Sequence, residues 1–389
     1  MELQDRKQFY SSRLLAWYKA NKRDLPWRRS RNPYHIWVSE VMLQQTRVET
    51  VIPYFHRFLE KFPTVEALAE APEEHVLKAW EGLGYYSRAR NLQAAVREVH
   101  EQYGGIVPSG KEDITSLKGV GPYTAGAVLS IAYNKPEPAV DGNVMRVLSR
   151  FFVLEDDIAK PSTRVKIERL AQELIPEGEA SDFNQALMEL GATVCTPRSP
   201  HCLTCPVMER CGARLEGREA ELPLKTKAKP PRPEARAVAL VEGSGPHAGK
   251  LLVRQRPTDG LLARMWELPH VALAPAPGAG AAAKSRAAGG GNAGSPAAAG
   301  AHAARMAALR AELAASDGVD VVPAEWLRDA EHTFSHIRWD MDVYRCRLNG
   351  PSDGSAALPP NYRWLHPDEM EQYAFPNVFL RILADWWEA

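Results

Sequence analysis

Apolar residues recur every three to four positions through the first half of the chain, from Phe9 to about Leu215. Such spacing puts apolar side chains on one face of an α-helix. The spacing is broken at Phe62-Pro63, Val107-Pro108 and Lys135-Pro136, where one helix is expected to end before the next begins. The pattern therefore predicts an all-α first half.

The second half has a different pattern. A stretch rich in proline and lysine, from Leu222 to Pro233, interrupts the helical spacing and is typical of an extended linker. Short apolar runs typical of strands follow at Ala235–Val241, Leu251–Gln255 and near Asp340–Arg347. Helical spacing returns at Pro367–Gln372 and Asn377–Trp387, so we expect an α+β second domain.

The predicted organisation is a helical domain at residues 1–221, a linker at 222–235 and the α+β domain at 236–389. Within the second domain, residues from about 272 to 304 are nearly all alanine, glycine, proline and serine, with no aromatic residue. This composition buries too little apolar surface to offset the entropy lost on ordering. We expect a flexible insertion there and assign it no function.

With 389 residues, of which 45% are apolar and 25% charged, the chain is long enough for two cores. No run of about 18 apolar residues occurs, and the segment from Met1 to Gln8 is largely polar. We therefore expect neither a membrane span nor a signal peptide. The formal net charge is zero, so any binding of nucleic acid must come from local geometry and not from a basic surface.

Four cysteines, Cys195, Cys202, Cys205 and Cys211, form a C-x6-C-x2-C-x5-C run. Four thiolates in one compact loop suit a [4Fe-4S] cluster, which takes one cysteine at each iron. A structural zinc site is the alternative, although gaps of six and five residues are less usual for zinc. The spacing resembles that of the endonuclease III and MutY superfamily of DNA glycosylases. The remaining cysteine, Cys346, fits a buried strand position.

The segment Leu117-Lys118-Gly119-Val120-Gly121-Pro122 joins two helical runs and predicts a helix-hairpin-helix at about 113–132. Gly119 and Gly121 allow backbone angles forbidden to other residues, and Pro122 suits the first turn of a helix. Free amides at that helix start, helped by the helix dipole, form a phosphate site that needs no basic surface. An ordinary tight turn between two helices is the alternative.

Two carboxylates have surroundings suited to acid–base chemistry. Glu40 lies among large apolar neighbours in a helical segment, where burial would raise its pKa and keep it protonated near neutrality. Asp141 precedes a helix start, and its carboxylate could face a cationic sugar. The same division of labour occurs in glycoside hydrolysis. The alternatives are an exposed helical charge at Glu40 and a simple helix cap at Asp141.

The whole first half resembles MutY adenine glycosylases. The segments that carry the resemblance are SEVMLQQT (39–46), LPWR (25–28), GLGYYSRARNL (82–92), VDGNV (140–144) and NQALMELGA (184–192). The resemblance implies that Glu40 protonates adenine N7 and later activates water, and that Asp141 stabilises an oxocarbenium ion. It also implies that Arg28, Tyr123, Asn143 and Glu189 support the extruded adenine. Gln45 and Tyr85 would fill the gap left in the duplex, for which a long amide and a flat aromatic ring are suited.

Tyr123 separates two branches of this superfamily. In the bifunctional endonuclease III branch a lysine at the corresponding position forms a Schiff base with the sugar. Because a phenol has no amine, the resemblance implies a monofunctional glycosylase. Its substrate would be double-stranded DNA in which adenine lies opposite 8-oxoguanine or guanine. We expect a monomer in the bacterial cytoplasm, associated with the nucleoid.

The second domain resembles the MutT-like domain of MutY enzymes at LLVRQRP (251–257) and LLARMWELP (261–269). Hydrolases of that fold carry G-x5-E-x7-R-E-x-x-E-E, and the acidic end of this motif is missing here, so we expect recognition and not hydrolysis. Phe334, Ser335 and His336 lie in HTFSH (332–336), which matches the loop that detects 8-oxoguanine in this family. A hydroxyl and an imidazole can discriminate an added oxygen by hydrogen bonding. A polar surface loop is the alternative.

Two rival functions are compatible with parts of this pattern. A bifunctional glycosylase and AP lyase of the endonuclease III type is disfavoured by Tyr123 and by the second domain. A non-catalytic sensor of DNA damage would keep the cluster and the hairpin but use the two carboxylates as helix caps. Release of free adenine would discriminate between these functions.

Overall fold

The computed structural model describes residues 3–274, 296–350 and 358–388. They form two compact units, and the chain passes from the first to the second between Ala228 and Lys229, inside the predicted linker. The first unit comprises residues up to Ala79 and from Tyr85 to Ala228. The short segment Trp80–Gly84 groups with the second unit, a feature that the sequence pattern does not indicate.

The first unit is all α-helical, as the apolar spacing predicts. Its α-helices are α1 (Leu3–Asn21), α2 (Pro33–Leu43), α3 (Val48–Lys61), α4 (Val65–Glu70), α5 (Glu73–Ala79), α6 (Ser87–Gln102), α7 (Lys111–Ser116), α8 (Pro122–Ile131), α9 (Gly142–Phe152), α10 (Pro161–Leu174), α11 (Ala180–Thr193) and α12 (Gly212–Leu215). Short 3-10 helices occur at Pro26–Arg28, Cys202–Thr204 and Met208–Arg210.

Helix α9 shows how the sequence builds the core of this unit. Val144, Val147, Leu148 and Phe151 recur at helical spacing and are all buried. This stripe packs against buried residues of α1 and α11 in one apolar core. The core fixes the start of α9, which carries Asp141 as its N-cap residue.

The second unit is built on a mixed sheet. Its described strands are β1 (Arg232–Glu242), β2 (Leu251–Gln255), β3 (Trp266–Glu267), β4 (His270–Ala272), β5 (Val321–Thr333), β6 (Ile337–Leu348) and β7 (Tyr362–Leu365). Their order is β3-β2-β1-β6-β5, with β4 paired to β1 and β7 paired to β2. Strands β1 and β6 run parallel, and the other pairs are antiparallel.

Alternation along β1 gives the sheet two apolar faces. Val238 and Leu240 contribute to a core on one face, which helix α14 (Asn377–Trp387) covers. The intervening Ala237, Ala239 and Val241 contribute to a second core, which is covered by helix α13 (Pro296–Asp317). Short 3-10 helices lie at Gly245–His247 and Pro367–Gln372. The α+β architecture agrees with the expectation from sequence.

The alanine-rich insertion needs a correction at its end. Residues 275–295 lie outside the described residues, but from Pro296 onward the chain forms α13. Alanine is the strongest helix former, and Leu309 and Leu313 anchor this helix on the sheet. Residues 296–304, assigned above to a flexible insertion, therefore begin a packed helix. Its acidic residues are Glu312 and Asp317, and it lacks the acidic run of the hydrolases.

Candidate active site

Glu40 lies on α2 with only 4% of its surface exposed. The hydroxyl of Tyr123, on α8, donates a hydrogen bond to its Oε2 at 2.5 Å. Burial and the nearby charge of Asp141 raise the pKa of Glu40 to about 7, although the hydrogen bond from Tyr123 and the charge of Arg28 act against this. A carboxyl group with such a pKa can hold a proton near neutral pH and give it to a substrate.

Asp141 is the N-cap residue of α9. Its Oδ1 accepts a hydrogen bond from the Val144 amide and its Oδ2 accepts one from Nδ2 of Asn143, both at 2.8 Å. Burial raises the pKa of Asp141, while these two hydrogen bonds oppose the shift. The cap role and a place in the site are compatible, because the same residue lines the cavity that contains Glu40. Asn143 packs closely against Gly191 of α11. A glycine is needed there, since a Cβ at Gly191 would lie 2.6 Å from Cβ of Asn143.

Glu189 is a buried carboxylate held by two arginines. Arg23 binds it through Nε and Nη2 at 2.8 and 2.9 Å, and Arg28 binds its Oε2 through Nη2 at 2.8 Å. Although burial opposes ionisation, these hydrogen bonds lower the pKa of Glu189 to about 2. Glu189 is thus permanently charged and fixed in orientation, in contrast to Glu40.

One cavity of about 160 Å³ brings together the residues predicted for catalysis and for support of adenine. The predicted residues among its lining are Arg28, Glu40, Tyr123, Asp141, Asn143 and Glu189. Tyr123, Asp141 and Asn143 also line a larger open cleft. The cavity therefore adjoins the cleft, which is the arrangement that a base extruded from a bound duplex would need.

The cleft contains the residues predicted to contact DNA, namely Gln45, Tyr85, Gly119 and Gly121. Gln45 and Tyr85 have left-handed backbone angles, with φ of 62° and 46°. Such angles are strained for residues other than glycine and cluster at functional sites. Arg88 donates hydrogen bonds to the carbonyl oxygens of Val41 and Met42 at 2.8 and 3.0 Å, and also to that of Gln44. It therefore stabilises the turn that carries Gln45.

The predicted hairpin connects α7 and α8. Gly119 has φ of 76°, and a Cβ there would lie 2.7 Å from Cβ of Asn91, so glycine is required for both reasons. Gly121 has φ of −90°, which any residue can adopt, so the expectation of an unusual backbone angle is confirmed at Gly119 and wrong at Gly121. Gly121 is the N-cap residue of α8, where no side chain caps the helix, and Pro122 occupies its first turn. The amides at this helix start suit a phosphate group.

The four cysteines of the loop line one common cavity, and none forms a disulfide. Nη1 of Arg150 donates to Sγ of Cys195 at 3.3 Å. Burial, assisted by the other three thiols, raises the pKa of Cys205 to about 12. Binding of a metal centre displaces the protons of such crowded thiols, and the resulting thiolates are its ligands. The donor set therefore fits a metal cluster.

Arg146 connects this loop to the active site. Its Nη2 donates to Oδ1 of Asn143 at 2.8 Å, and its Nε donates to the carbonyl oxygen of Cys195 at 2.8 Å. Asn143 in turn holds Asp141. A continuous chain of hydrogen bonds therefore runs from the first cysteine of the loop to the aspartate.

Phe334, Ser335 and His336 form the tip of the hairpin between β5 and β6 in the second unit. Ser335 and His336 are exposed, whereas the ring of Phe334 packs against Trp339 with a centroid distance of 4.8 Å. The amide of Phe334 donates to the carbonyl oxygen of Ile337 at 2.7 Å and closes the turn. The packed phenylalanine therefore fixes a tip that presents a hydroxyl and an imidazole.

Comparison with known proteins finds relatives that match nearly the whole chain. Residues 38–177 match the model of the HhH-GPD superfamily of base excision DNA repair proteins, residues 195–211 match the iron-sulfur binding domain of endonuclease III, and residues 245–385 match the NUDIX domain. The chain is 38% identical to adenine DNA glycosylase of Rattus norvegicus, over 96% of this chain and 77% of the relative. The Homo sapiens protein of the same name is 36% identical, over 95% and 72%. The chain belongs to the adenine DNA glycosylase family.

The helical unit also has a solved relative. The structure of a thermostable thymine-DNA glycosylase aligns with a TM-score of 0.51 and 31% identity, covering 55% of this chain and 98% of that chain. The present enzyme is an adenine-specific DNA N-glycosylase of base excision repair, and its cysteine loop holds an iron–sulfur cluster. Among the described residues, no helix is long and apolar enough to cross a membrane.

Sequence reasoning missed three arginines that organise the glycosylase site. Arg23 holds Glu189, Arg88 holds the turn before Gln45, and Arg146 holds Asn143. Arg146 and Arg88 lie within or beside the motifs quoted above, but their partners are distant in sequence. In the sequence, only the apolar residues next to these arginines could have indicated that their side chains have a structural role.

Proposed function

We propose that this glycosylase removes adenine that lies opposite 8-oxoguanine or guanine in double-stranded DNA. The observation that carries the chemistry is the buried, hydrogen-bonded Glu40, whose pKa of about 7 suits an acid. Adenine is a poor leaving group unless a ring nitrogen is protonated. Glu40 donates its proton to N7, the bond between N9 and the sugar breaks with its electrons passing to the base, and adenine leaves.

Asp141 acts on the sugar in this proposal. Loss of the base leaves an oxocarbenium-like centre, and a fixed carboxylate beside it stabilises the positive charge. The hydrogen bonds from Val144 and Asn143 hold the carboxylate in place and favour its ionised form. Glu40, now a carboxylate, then takes a proton from the water that attacks the sugar.

The remaining residues of the cavity and cleft position the DNA. Arg28, Glu189, Tyr123 and Asn143 surround the extruded adenine, and their side chains share one cavity with Glu40. Gln45 and Tyr85 fill the space that the base leaves in the duplex, and Tyr85 is 49% exposed in the protein alone. The amides near Gly119 and Gly121 bind phosphate.

The hairpin tip of the second unit recognises 8-oxoguanine in this proposal. Ser335 and His336 supply hydrogen-bonding groups at an exposed turn, and Phe334 keeps that turn in shape. The 8-oxo group adds an oxygen and places a proton on N7, and both changes can be read by such groups. The enzyme acts as a monomer on chromosomal DNA, in the bacterial cytoplasm with the nucleoid.

The proposal includes monofunctional chemistry. Tyr123 occupies the place where an amine would be needed for an imine with the sugar, and its hydroxyl is already bound to Glu40. Borohydride trapping on abasic DNA therefore yields no covalent protein–DNA product. A trapped product at an internal lysine would support the bifunctional alternative instead.

The experiment that tests the proposal is single-turnover release of adenine from a duplex with adenine opposite 8-oxoguanine. The parent chain is compared with Glu40→Gln and Asp141→Asn, and binding to the same duplex is measured in parallel. We expect Glu40→Gln to lower the rate by at least about 100-fold, the usual contribution of a general acid. We expect a similar loss for Asp141→Asn, which removes a charge that stabilises the transition state, and binding should be largely kept in both. A parent protein that binds the duplex firmly but releases no adenine would instead be a damage sensor.

A further inference from the structure

The first part of the predicted linker, residues 222–226, is fixed on the helical unit. Leu222 is 1% exposed, and its carbonyl oxygen accepts a hydrogen bond from Nε of Arg150 at 2.9 Å. The carbonyl oxygen of Leu224 accepts a hydrogen bond from the amide of Ile158 at 3.0 Å. This segment is therefore part of the glycosylase unit and not a loose connection.

Thr226 provides the next anchor. Its hydroxyl donates a hydrogen bond to Oδ2 of Asp157 at 2.5 Å, and its amide donates one to Oδ1 at 3.2 Å. Lys225 thus lies directly between two anchored residues, Leu224 and Thr226, and is itself exposed. A charged side chain on a backbone that is already fixed loses less conformational freedom when it binds a partner.

Lys225 lines the same open cleft as Gln45, Tyr85, Gly119 and Gly121. Within the part of the chain that the structure describes, its ammonium group has no hydrogen-bond or ion-pair partner. An available cation on a fixed backbone therefore lies in the cleft proposed to hold the duplex.

The charge of the cleft lining favours an anionic partner. The lining contains more cations than carboxylates: its cations are Arg47, Arg88, Arg146, Arg164 and Lys225, and its carboxylates are Asp141 and Glu221. Glu221 already binds Nε of Arg218 at 3.0 Å, which offsets its charge. Although the net charge of the chain is zero, this surface carries a local excess of positive charge.

Most of these arginines are engaged within the protein. Arg88 and Arg146 hold the groups described above, and Arg164 binds Oε1 of Glu168 and the carbonyl oxygen of Val140, both at 3.0 Å. Lys225 makes no such bond to the described residues. It can therefore bind an external anion without first losing a contact inside the protein.

We propose that Lys225 binds a backbone phosphate of the DNA duplex, and that residues 222–226 form part of the DNA-binding surface. A lysine is a compact charge that suits phosphate and reads no base sequence. The amides near Gly119 and Gly121 carry no formal charge, so Lys225 adds an ionic contact that they do not supply. The inference deepens the proposed function, since it rests on a duplex in this cleft, but it does not depend on which mispair is preferred.

A phosphate contact of this kind has a characteristic dependence on salt. Each phosphate that a lysine neutralises contributes about 0.9 to the slope of log K against log salt concentration. A contact of this size that vanishes at about 1 M salt amounts to about 8-fold in affinity at about 0.1 M. Its loss should weaken all duplexes alike, because phosphate contacts carry no sequence information.

The test compares the cluster-loaded parent with Lys225→Gln, Lys225→Arg and Lys227→Gln. Lys227 is the matched control, because it is an exposed lysine nearby in the chain that is not among the described residues of the cleft lining. Two duplexes are used: an undamaged one, and one with a stable abasic analogue opposite 8-oxoguanine. The affinity of each protein for each duplex is measured at several salt concentrations.

We expect Lys225→Gln to weaken binding of both duplexes by about 8-fold at about 0.1 M salt and to reduce the slope by about 0.9, whereas Lys227→Gln matches the parent. Lys225→Arg should keep most of the affinity, because it keeps the charge. The inference is overturned if Lys225→Gln keeps the parent slope, if Lys227→Gln changes the slope equally, or if Lys225→Arg binds as weakly as Lys225→Gln.

Adenine release by the parent is measured separately. A parent that binds DNA with the expected contribution from Lys225 but releases no adenine would refute the proposed activity and leave this inference standing. A parent that releases adenine while Lys225→Gln binds as the parent does would refute only the inference.

Discussion

Tyr123 donates its hydroxyl proton to Oε2 of Glu40 across 2.5 Å, which leaves the other carboxyl oxygen of Glu40 to carry a transferable proton. The pKa of Tyr123 lies well above its usual range, first because of burial and then because of the charges of Glu40 and Asp141. The phenol therefore remains a donor at every working pH. One bond thus orients the carboxyl group of Glu40 and limits how far its pKa rises.

Removing that bond has a predictable effect on pH dependence. In Tyr123→Phe the pKa of Glu40 should rise above its present value of about 7, because the hydrogen bond from Tyr123 lowers it. The falling limb of the rate profile for adenine release should move to higher pH, with a lower plateau because the acid is less well oriented. Tyr133→Phe, whose hydroxyl contacts only the Val107 carbonyl among described partners, is the control. An unchanged limb in Tyr123→Phe would mean that Glu40 is not the titrating group.

The raised pKa of Glu40 also predicts how the stability of the fold changes with pH. Its pKa is about 7 in the folded protein against 4.5 for an exposed glutamate, so the folded state binds the extra proton between these values. Stability should therefore fall as pH rises from about 4.5 to 7 and stay reduced above that range. Glu40→Gln abolishes this dependence, so its advantage over the parent in free energy of unfolding should grow by up to about 3 kcal/mol between pH 5 and pH 8.

Denaturant unfolding at both pH values measures the effect. Glu66→Gln is the control, because Glu66 is an exposed carboxylate near the start of α4 and should show no such growth. If Glu40→Gln changed the free energy of unfolding by the same amount at pH 5 and pH 8, this would contradict a raised pKa of Glu40.

Arg146 should matter for both the cluster loop and the site. In Arg146→Ala, Oδ1 of Asn143 and the carbonyl oxygens of Cys195 and Gly191 lose a donor. We expect a loss of about 2 kcal/mol or more in stability, together with slower adenine release because Asn143 no longer holds Asp141 firmly. Arg218→Ala, which removes surface ion pairs, should change stability much less. If stably folded Arg146→Ala protein released adenine at the parent rate, the hydrogen-bond chain through Arg146 would have a structural role only.

The hairpin tip should control preference and not chemistry. The double variant Ser335→Ala/His336→Ala should lose much of the preference for 8-oxoguanine over guanine opposite adenine, with a smaller effect on the single-turnover rate at saturation. Ser244→Ala/His247→Ala offers the same two residue types in another turn of this unit. The role of the tip would be refuted if the two double variants discriminated equally well.

Parts of this site could be predicted because their residues lie close together in the chain. The cysteine spacing, the glycines of the hairpin and the motifs around Glu40 and Asp141 are local, and each carries its chemistry in adjacent letters. Contacts between distant elements leave no such signal. The bond from Tyr123 to Glu40 joins residues 83 positions apart, and that from Arg146 to Cys195 spans 49.

Elements of the fold could likewise be predicted where their signal is local in the sequence. Apolar spacing predicted the helical unit and three strands, β1, β2 and β6, since burial on one face imposes a period. It did not predict β3, β4, β5 or β7. Composition misjudged residues 296–304, because a run of alanine suits both a loose segment and a helix, and docking of Leu309 and Leu313 on the sheet decides between them. The left-handed conformations of Gln45 and Tyr85 also depend on tertiary contacts such as those of Arg88.

The central claim is that protonated Glu40 delivers the proton that releases adenine. Its most direct test is the second-order rate constant for adenine release, measured from pH 5 to pH 9 with the 8-oxoguanine duplex, which reports the groups of the free enzyme. The account predicts a rate that declines above a pKa near 7, and this limb should be absent from the residual activity of Glu40→Gln. A rate that rises through pH 7, or a declining limb that persists in Glu40→Gln, would contradict it.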